Sequence, residues 1–278
     1  MCSDIYYANY DESFKNLLLN IFKTSKIHDK YIEILLSSDS IDLYKQAFIH
    51  HSIHSQCNYE YYEFKGDLTV NKVIIEYLCK IYPFLCCKDG VKVLSRLKIL
   101  FTSKKTLSEI GNNLNFWNYI SSSNNIRQTK KKSLLEDVFE SFIGMTEYII
   151  SKHYSVGIAY TICYKIISKQ LKKINKFSLS YEDLFDAKTR LKEICDYYKH
   201  TIGKILYSYN NSNKYKQVRI YHIKQNEKKL IGEGTSNLLI DAEQEASTNA
   251  LISLKKIGIE KPMDLFYQNI NKFSVNIL

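Results

Sequence analysis

Three acids, Glu60, Glu63 and Asp67, recur at spacings of three and four within Asn58–Leu78, NYEYYEFKGDLTVNKVIIEYL. On a helix they share one face. The rest of the segment is largely apolar, with Phe64, Val70, Ile74 and Leu78, so stacked like charges there call for a counterion. A second pair, Asp137 and Glu140, stands three apart in LLEDVFESFIG, residues 134–144. Two such helices, if they meet, offer four carboxylates to one place. An all-oxygen site suits magnesium or manganese. Divalent ions held this way support phosphodiester hydrolysis, by activating water and stabilising charge on the attacking and leaving oxygens. The plainer alternative is that each pair is a solvated helix face or a cap, and spacing alone leaves both readings open.

The elements that must carry these acids are helices. Apolar residues recur at three and four spacing in 13–22, 32–36, 66–82, 91–101, 106–114 and 133–151, and a further helix is expected over 153–174. Pro83 fits a stop after the first acidic helix. The polar stretch Ser121–Lys132 (SSSNNIRQTKKK) reads as a loop, and Ser133 with Glu136 has the spacing of a capping box at the start of the second acidic helix. Beyond Asn175–Asp186, expected as a linker, the pattern changes. A helix over 187–199 is followed by alternating stretches at 204–210, 215–224 and 228–234, with polar turns at Asn210–Asn213 and Gln225–Glu227, then a helix over 241–256. The expected fold is therefore an all-α domain followed by a small α+β domain of order α-β-β-β-α, with two helices on one face of an antiparallel sheet. The boundaries are 1–178 for the helical domain, 179–185 for the linker, 186–258 for the α+β domain and 259–278 for a C-terminal tail.

Composition limits the partners. The chain has 278 residues, 45% hydrophobic and 24% charged, a globular balance. Lys and Arg exceed Asp and Glu by 39 to 29, a net charge of +10, which favours a polyanion such as nucleic acid. No apolar run of membrane-spanning length and no signal-like N-terminus occur, so the expected location is intracellular and cytoplasmic, with no membrane partner. The seven cysteines contain no C-x-x-C pair and are expected to be reduced thiols, mostly buried. His50, His51, His54 and Cys57 invite a zinc reading, which the rest of the pattern does not support.

EYYEFKGD at Glu60–Asp67 resembles the ribonuclease III signature E-x-L-E-F-L-G-D. QAFIHHS at Gln46–Ser52 resembles that family's Q-A-L-T-H-x-S segment, and DVFESFIG at Asp137–Gly144 resembles its D-x-F-E-A-x-I-G helix. The likeness covers residues 40–175. The following α-β-β-β-α segment resembles a double-stranded RNA-binding domain, through DAKTRLKEI (Asp186–Ile194), LIGEGTS (Leu230–Ser236) and DAEQEASTNAL (Asp241–Leu251). The resemblance implies an endoribonuclease that hydrolyses double-stranded RNA as a homodimer, leaving 5′-phosphates and short 3′ overhangs. It implies magnesium, with manganese as a substitute, two ions per centre and no small-molecule cofactor. Glu63, Asp67, Asp137 and Glu140 match the family's metal-binding catalytic acids, Glu60 and Asp89 its auxiliary acids. Phe64 matches an aromatic of the dimer interface, with an ordinary core position as the alternative. Gly66 would allow close helix packing.

This chain departs from the family at several places. Lys65 replaces Leu and either contacts a phosphate or snorkels to solvent. Lys104 and Lys105 stand where an Asn-Glu pair is usual. Leu239 and Ile240 replace two phosphate-gripping lysines, and NNSNKY at Asn210–Tyr215 replaces the G-P-x-H loop. Thr189 and Glu193 keep the RNA-facing pattern of the first helix. Lys130, Lys131 and Lys132 are candidate RNA contacts beside the second acidic helix. The competing function is a catalytically inactive relative that binds or sequesters structured RNA.

Overall fold

The computed structural model describes residues 4–174, 180–211, 215–224, 227–262 and 266–268. The chain divides into two compact units, 1–175 and 176–278. The first is helical: α1 (Glu12–Thr24), α2 (Asp29–Leu35), α3 (Ser38–Gln46), α4 (Glu60–Ile81), α5 (Val91–Phe101), α6 (Lys104–Asn113), α7 (Asn124–Thr129), α8 (Lys131–His153) and α9 (Val156–Leu171). Its order is broken by a short antiparallel pairing of β1 (Ile5–Tyr6) with β2 (Ser122–Ser123).

Helix α8 is the axis of this unit. Leu134, Leu135, Val138, Phe139, Phe142, Ile143, Met145, Ile149 and Ile150 are all buried, so it is apolar around most of its circumference and must be enclosed. Helices α4, α6 and α9 pack on it. Phe142 stacks on Phe22 (centroids 6.1 Å apart) and lies edge-on to Phe116 (5.3 Å). The buried Tyr44 hydroxyl is satisfied by Thr146 Oγ1 at 2.8 Å.

The closest approach in the unit is that of α4 to α8. A Cβ on Gly66 would lie 1.8 Å from the Glu140 carbonyl oxygen, and one on Gly144 would lie 2.0 Å from the Tyr62 carbonyl oxygen. Only glycine fits at either place, so the two backbones touch. Gly66 thus does what its place in the sequence implied.

Several local expectations are corrected. Helix α4 begins at Glu60, where Asn58 Oδ1 accepts the Glu60 N–H at 2.9 Å. The stretch 121–132, expected as loop, carries β2, α7 and the first turn of α8. Arg127 holds it: its guanidinium lies between Tyr6 (3.8 Å) and Trp117 (3.9 Å) and donates to the Trp117 and Ile120 carbonyls. Helix α8 begins at Lys131, so Ser133 is not its cap. Helix α3 has no counterpart in the sequence reading. Of the six cysteines within the described residues only Cys163 is buried; Cys57, Cys86 and Cys87 are exposed. Cys2 lies outside the described residues.

The second unit contains α10 (Tyr181–Leu184), α11 (Ala187–Tyr197), α12 (Lys199–Ile202), β3 (Lys204–Asn211), β4 (Lys216–Lys224), β5 (Glu227–Ser236) and α13 (Leu239–Lys256). The sheet is antiparallel in the order β3-β4-β5, with a register shift at Ile220/Tyr221. Leu191 of α11 and Ala242, Ala246, Ala250 and Leu254 of α13 close one core with Val218, Ile220 and Ile231. The all-α plus α-β-β-β-α expectation is thereby met. Within the 179–185 stretch, expected as linker, the described residues 180–185 are packed: Leu184 and Phe185 are buried, and Tyr181 and Phe185 pack against Tyr267 (5.4 and 5.7 Å). Part of the expected tail therefore folds back on this unit. Residues 175–179 of the linker, 212–214 of the replaced loop, the turn residues 225–226 and most of 263–278 lie outside the described residues. Among the described residues no helix is long and apolar enough to cross a membrane.

Gly66→Ala and Gly144→Ala are expected to destabilise the chain by about 1–3 kcal/mol each, through overpacking at the backbone contact. Urea unfolding measures this. Unchanged midpoints would show that α4 and α8 tolerate a wider separation.

Candidate active site

The glycine contact decides where the acids go. Gly66 lies between Glu63 and Asp67 in sequence, and the atom it touches is the backbone carbonyl of Glu140. The crossing therefore brings Glu63 and Asp67 of α4 to Asp137 and Glu140 of α8. Their mutual influence records it. Burial, then Asp137, Glu60, Glu136 and Asp67, push the Glu63 carboxyl up to about 7. Burial, then Asp67, Glu136, Glu63 and Asp137, push Glu140 up to about 9. Glu140 is only 8% exposed. Burial also raises Asp137, against the Tyr59 hydrogen bond and Lys104, which pull it down.

The acids divide by the partners they have. Glu60 meets His51, Nδ1 to Oε1 at 2.9 Å. Glu136 meets Lys104, Nζ to Oε2 at 3.1 Å, and the same ammonium reaches Ser133 Oγ at 3.1 Å. Asp137 accepts from the Tyr59 hydroxyl, and Asp67 from Asn71. The carboxyl groups of Glu63 and Glu140 have no hydrogen-bond or ion-pair partner among the described residues. The ammonium of Lys104 thus stands on an outer acid, and among the described residues the inner four form a surplus of acid groups in a half-buried place with no ammonium or guanidinium bonded to them. That surplus, made of oxygen donors alone, fits a divalent cation in kind. No group of three or more His, Cys, Asp or Glu among the described residues is already closed to coordination geometry, so an ion would have to draw them together.

A cleft of about 730 Å³ opens beside the cluster, lined by Glu63, Asp137, Tyr59, His51, Lys104 and Lys130–Lys132 among others. The three lysines sit at the amino end of α8, the positive end of its dipole. Cations there work against the helix, so they favour an anion instead. An acidic floor with a basic rim suits a polyanion whose cutting needs a cation.

Other expected residues are placed as follows. Lys65 turns to the Tyr148 ring (5.8 Å) and is not among the groups acting on the acids; the expectation that it stands beside the cluster is corrected. Asp89 is exposed on the turn before α5, and none of the shifted carboxylates responds to it. Phe64 is 66% exposed, so the core alternative is excluded. His50 is held by the backbone: its Nδ1 accepts the Ser52 N–H at 3.0 Å, and burial followed by His51 lowers it to about 4. His54 Nδ1 accepts the Cys57 N–H at 2.8 Å. In the second unit, Thr189 bonds its own cap, Asp186 (2.7 Å), and Glu193 accepts from the Tyr181 hydroxyl and from Lys261 (2.8 Å). Both have internal roles. Leu238 and Ile240, at the start of α13, are 64% and 71% exposed.

Sequence reading missed Glu136, Lys104 as its partner, Tyr59 and Asn71. Glu136 was hidden by its capping-box spacing. Asn71 had a signal, since it lies four residues from Asp67 on the same helix. Tyr59 had none, because its contact lies 78 residues away.

The Ribonuclease III domain family matches residues 60–147. A putative ribonuclease 3 of Invertebrate iridescent virus 6 is 34% identical over 94% of this chain and 94% of its own length. A ribonuclease 3 of Campylobacter jejuni is 30% identical over 76% of this chain and 89% of its own. A crystal structure of the nuclease domain of ribonuclease III from C. jejuni aligns with a TM-score of 0.42 at 24% identity, covering 56% of this chain and 97% of that one.

The raised acids give a signed pH dependence. Between about pH 4.5 and 7–9 the folded chain holds protons on Glu63 and Glu140 that the unfolded chain has released. Stability of the metal-free chain should therefore fall as pH rises through that window. Glu140→Gln should flatten the slope and raise the metal-free melting temperature by a few degrees at pH 8. Divalent cations should raise it more at pH 8 than at pH 5. Thermal denaturation with and without metal checks each; a metal-free chain that gains stability from pH 5 to 8 would contradict the assignment.

Proposed function

Because this chain belongs to the ribonuclease III family, we propose that it is an endoribonuclease that hydrolyses double-stranded RNA at the α4–α8 crossing, as a homodimer. The observation that supports it most is the set of four carboxylates, Glu63, Asp67, Asp137 and Glu140, gathered with no cation of their own. They would hold divalent metal, magnesium first with manganese as substitute, and two ions per centre is the family pattern. Such ions supply Lewis-acid charge at the phosphoryl group and acidify water.

The chain's own residues do the rest. Lys130, Lys131 and Lys132 draw the duplex backbone to the cleft and hold phosphates at its rim. Lys104, held in the cleft by Glu136, adds a fixed positive charge beside Asp137. Duplex RNA is read by shape and by its 2′-hydroxyls, which asks for a shaped basic rim rather than base-reading side chains. One cut on each strand by two centres gives 5′-phosphate ends with short 3′ overhangs.

The dimer proposal rests on α4. Tyr61, Phe64 and Leu68 are 60%, 66% and 58% exposed, at helical spacing on the side away from α8. An apolar stripe of that kind marks an interface. The second unit contributes less to RNA affinity, since exposed Leu238, Leu239 and Ile240 occupy the amino end of α13 and Glu193 is engaged internally. The inactive alternative has no support from the site: the four acids are intact, and Lys65 points away from them.

Purified chain should cut a long RNA duplex only with divalent metal, and Asp67→Ala and Glu140→Ala should each lower kcat at least about a hundredfold. Folded chain that binds duplex but leaves it intact in magnesium would refute the reading. Phe64→Glu should convert a dimer to monomer in sedimentation equilibrium. Replacing Lys130–Lys132 by alanine should weaken binding to all duplex sequences alike and reduce the slope of log K against log salt by about 2–3. An unchanged slope would remove the lysines from the interface.

A further inference from the structure

The inner aspartates each have one oxygen fixed by an uncharged donor. The Tyr59 hydroxyl donates to Asp137 Oδ2 at 2.9 Å. Asn71 Nδ2 donates to Asp67 Oδ1 at 2.6 Å and to the Asp67 carbonyl at 2.8 Å. Neither donor is loose. The Tyr59 side chain is buried, its ring lies edge-on to His50 with centroids 5.7 Å apart, and its backbone N–H donates to the Ile49 carbonyl at 3.0 Å. Its own carbonyl accepts the Glu63 N–H at 2.9 Å, which ties it to the first turn of α4. Asn71 stands on α4 one turn beyond Asp67.

The kind of donor matters. Of the outer acids, Glu136 has a cationic partner, Lys104, and Glu60 meets the His51 imidazole. The inner aspartates have neutral ones. A neutral donor orients a carboxylate and leaves its charge available, whereas an ammonium in the same place would compete with a metal ion. Ordered neighbours of this kind govern metal affinity by fixing the ligand before the ion arrives.

We propose that Tyr59 and Asn71 are the positioning residues of the cation site, presetting Asp137 and Asp67 so that the second oxygen of each is available to a divalent ion. This deepens the endonuclease reading and rests on it. Neither residue touches substrate; each acts through its aspartate.

The test is Mn²⁺ binding to the full metal-free chain, followed by loss of the free-ion paramagnetic signal, which needs no turnover. Tyr59→Phe removes one hydroxyl and keeps the ring. Asn71→Ala removes the amide in a helix. Each should weaken Mn²⁺ binding about tenfold and raise the Mg²⁺ concentration for half-maximal duplex cleavage by a similar factor, with KM for duplex unchanged. In an Asp137→Ala background, Tyr59→Phe should cause no further loss of Mn²⁺ affinity. Wild-type affinity in both single variants, or an added loss in the double variant, would overturn the proposal. If Tyr59→Phe does not fold, Asn71→Ala against Asp67→Ala decides in the same way. Wild-type chain that binds Mn²⁺ but cuts no duplex would sink the endonuclease reading while the Mn²⁺ comparison still judges the two positioning residues. Chain that binds no Mn²⁺ would overturn both.

Discussion

Two backbones in contact set the geometry of the helical unit. Gly66 and Gly144 leave no room for a Cβ between α4 and α8, and every acid in the cluster lies within two turns of that contact. A side chain there would push the helices apart and increase the separation of the four carboxylates. The apolar surroundings of α8 support the crossing. Phe22, Tyr44, Phe116 and Phe142 pack around it, and Thr146 closes the one buried hydroxyl among them. The aromatic core thus serves the site indirectly, by holding α8 rigid beneath α4.

The electrostatic design is one of controlled imbalance. Burial first, and then neighbouring acids, disfavour ionisation here, which the raised pKa values of Glu63 and Glu140 express. A protein built only for stability would remove that conflict with lysines. This chain places Lys104 on Glu136 and a histidine on Glu60, and leaves the inner acids with a phenol, an amide or nothing. The remaining stress is relieved by proton uptake or by a bound cation. Three lysines at the amino end of α8 add a second local conflict, between their charge and the helix dipole, which an RNA phosphate would resolve.

Much of this is legible in the sequence, because helical spacing is a strong signal. Glu63 with Asp67, and Asp137 with Glu140, could be placed on their helices by spacing and apolar context, and EYYEFKGD joined them to a family. The α-β-β-β-α order of the second unit followed from a change of period. What stayed hidden depends on contacts between distant parts of the chain. Nothing in SSSNNIRQTKKK indicates a helix, since the stabilising sandwich of Arg127 needs Tyr6 and Trp117. Tyr59 looks like one more tyrosine among 23 until Asp137 is brought to it. Glu136 was misassigned because a capping-box spacing and an active-site ion pair look alike in one dimension. The ordering of 180–185 depends in the same way on Tyr267, more than eighty residues downstream.

Helix α4 presents three surfaces within a single turn and a half: Glu63 and Asp67 to the acidic cluster, Gly66 to α8, and Phe64 to the outside. One inserted or deleted residue there turns everything beyond it by about 100°, exchanging an acidic face for an apolar or a packed one. Drift in this segment can therefore proceed by substitution but not by change of length. Lys65, turned to the Tyr148 ring, stands where a substitution leaves all three surfaces in register. Loops can grow or shrink; this helix can change only residue by residue.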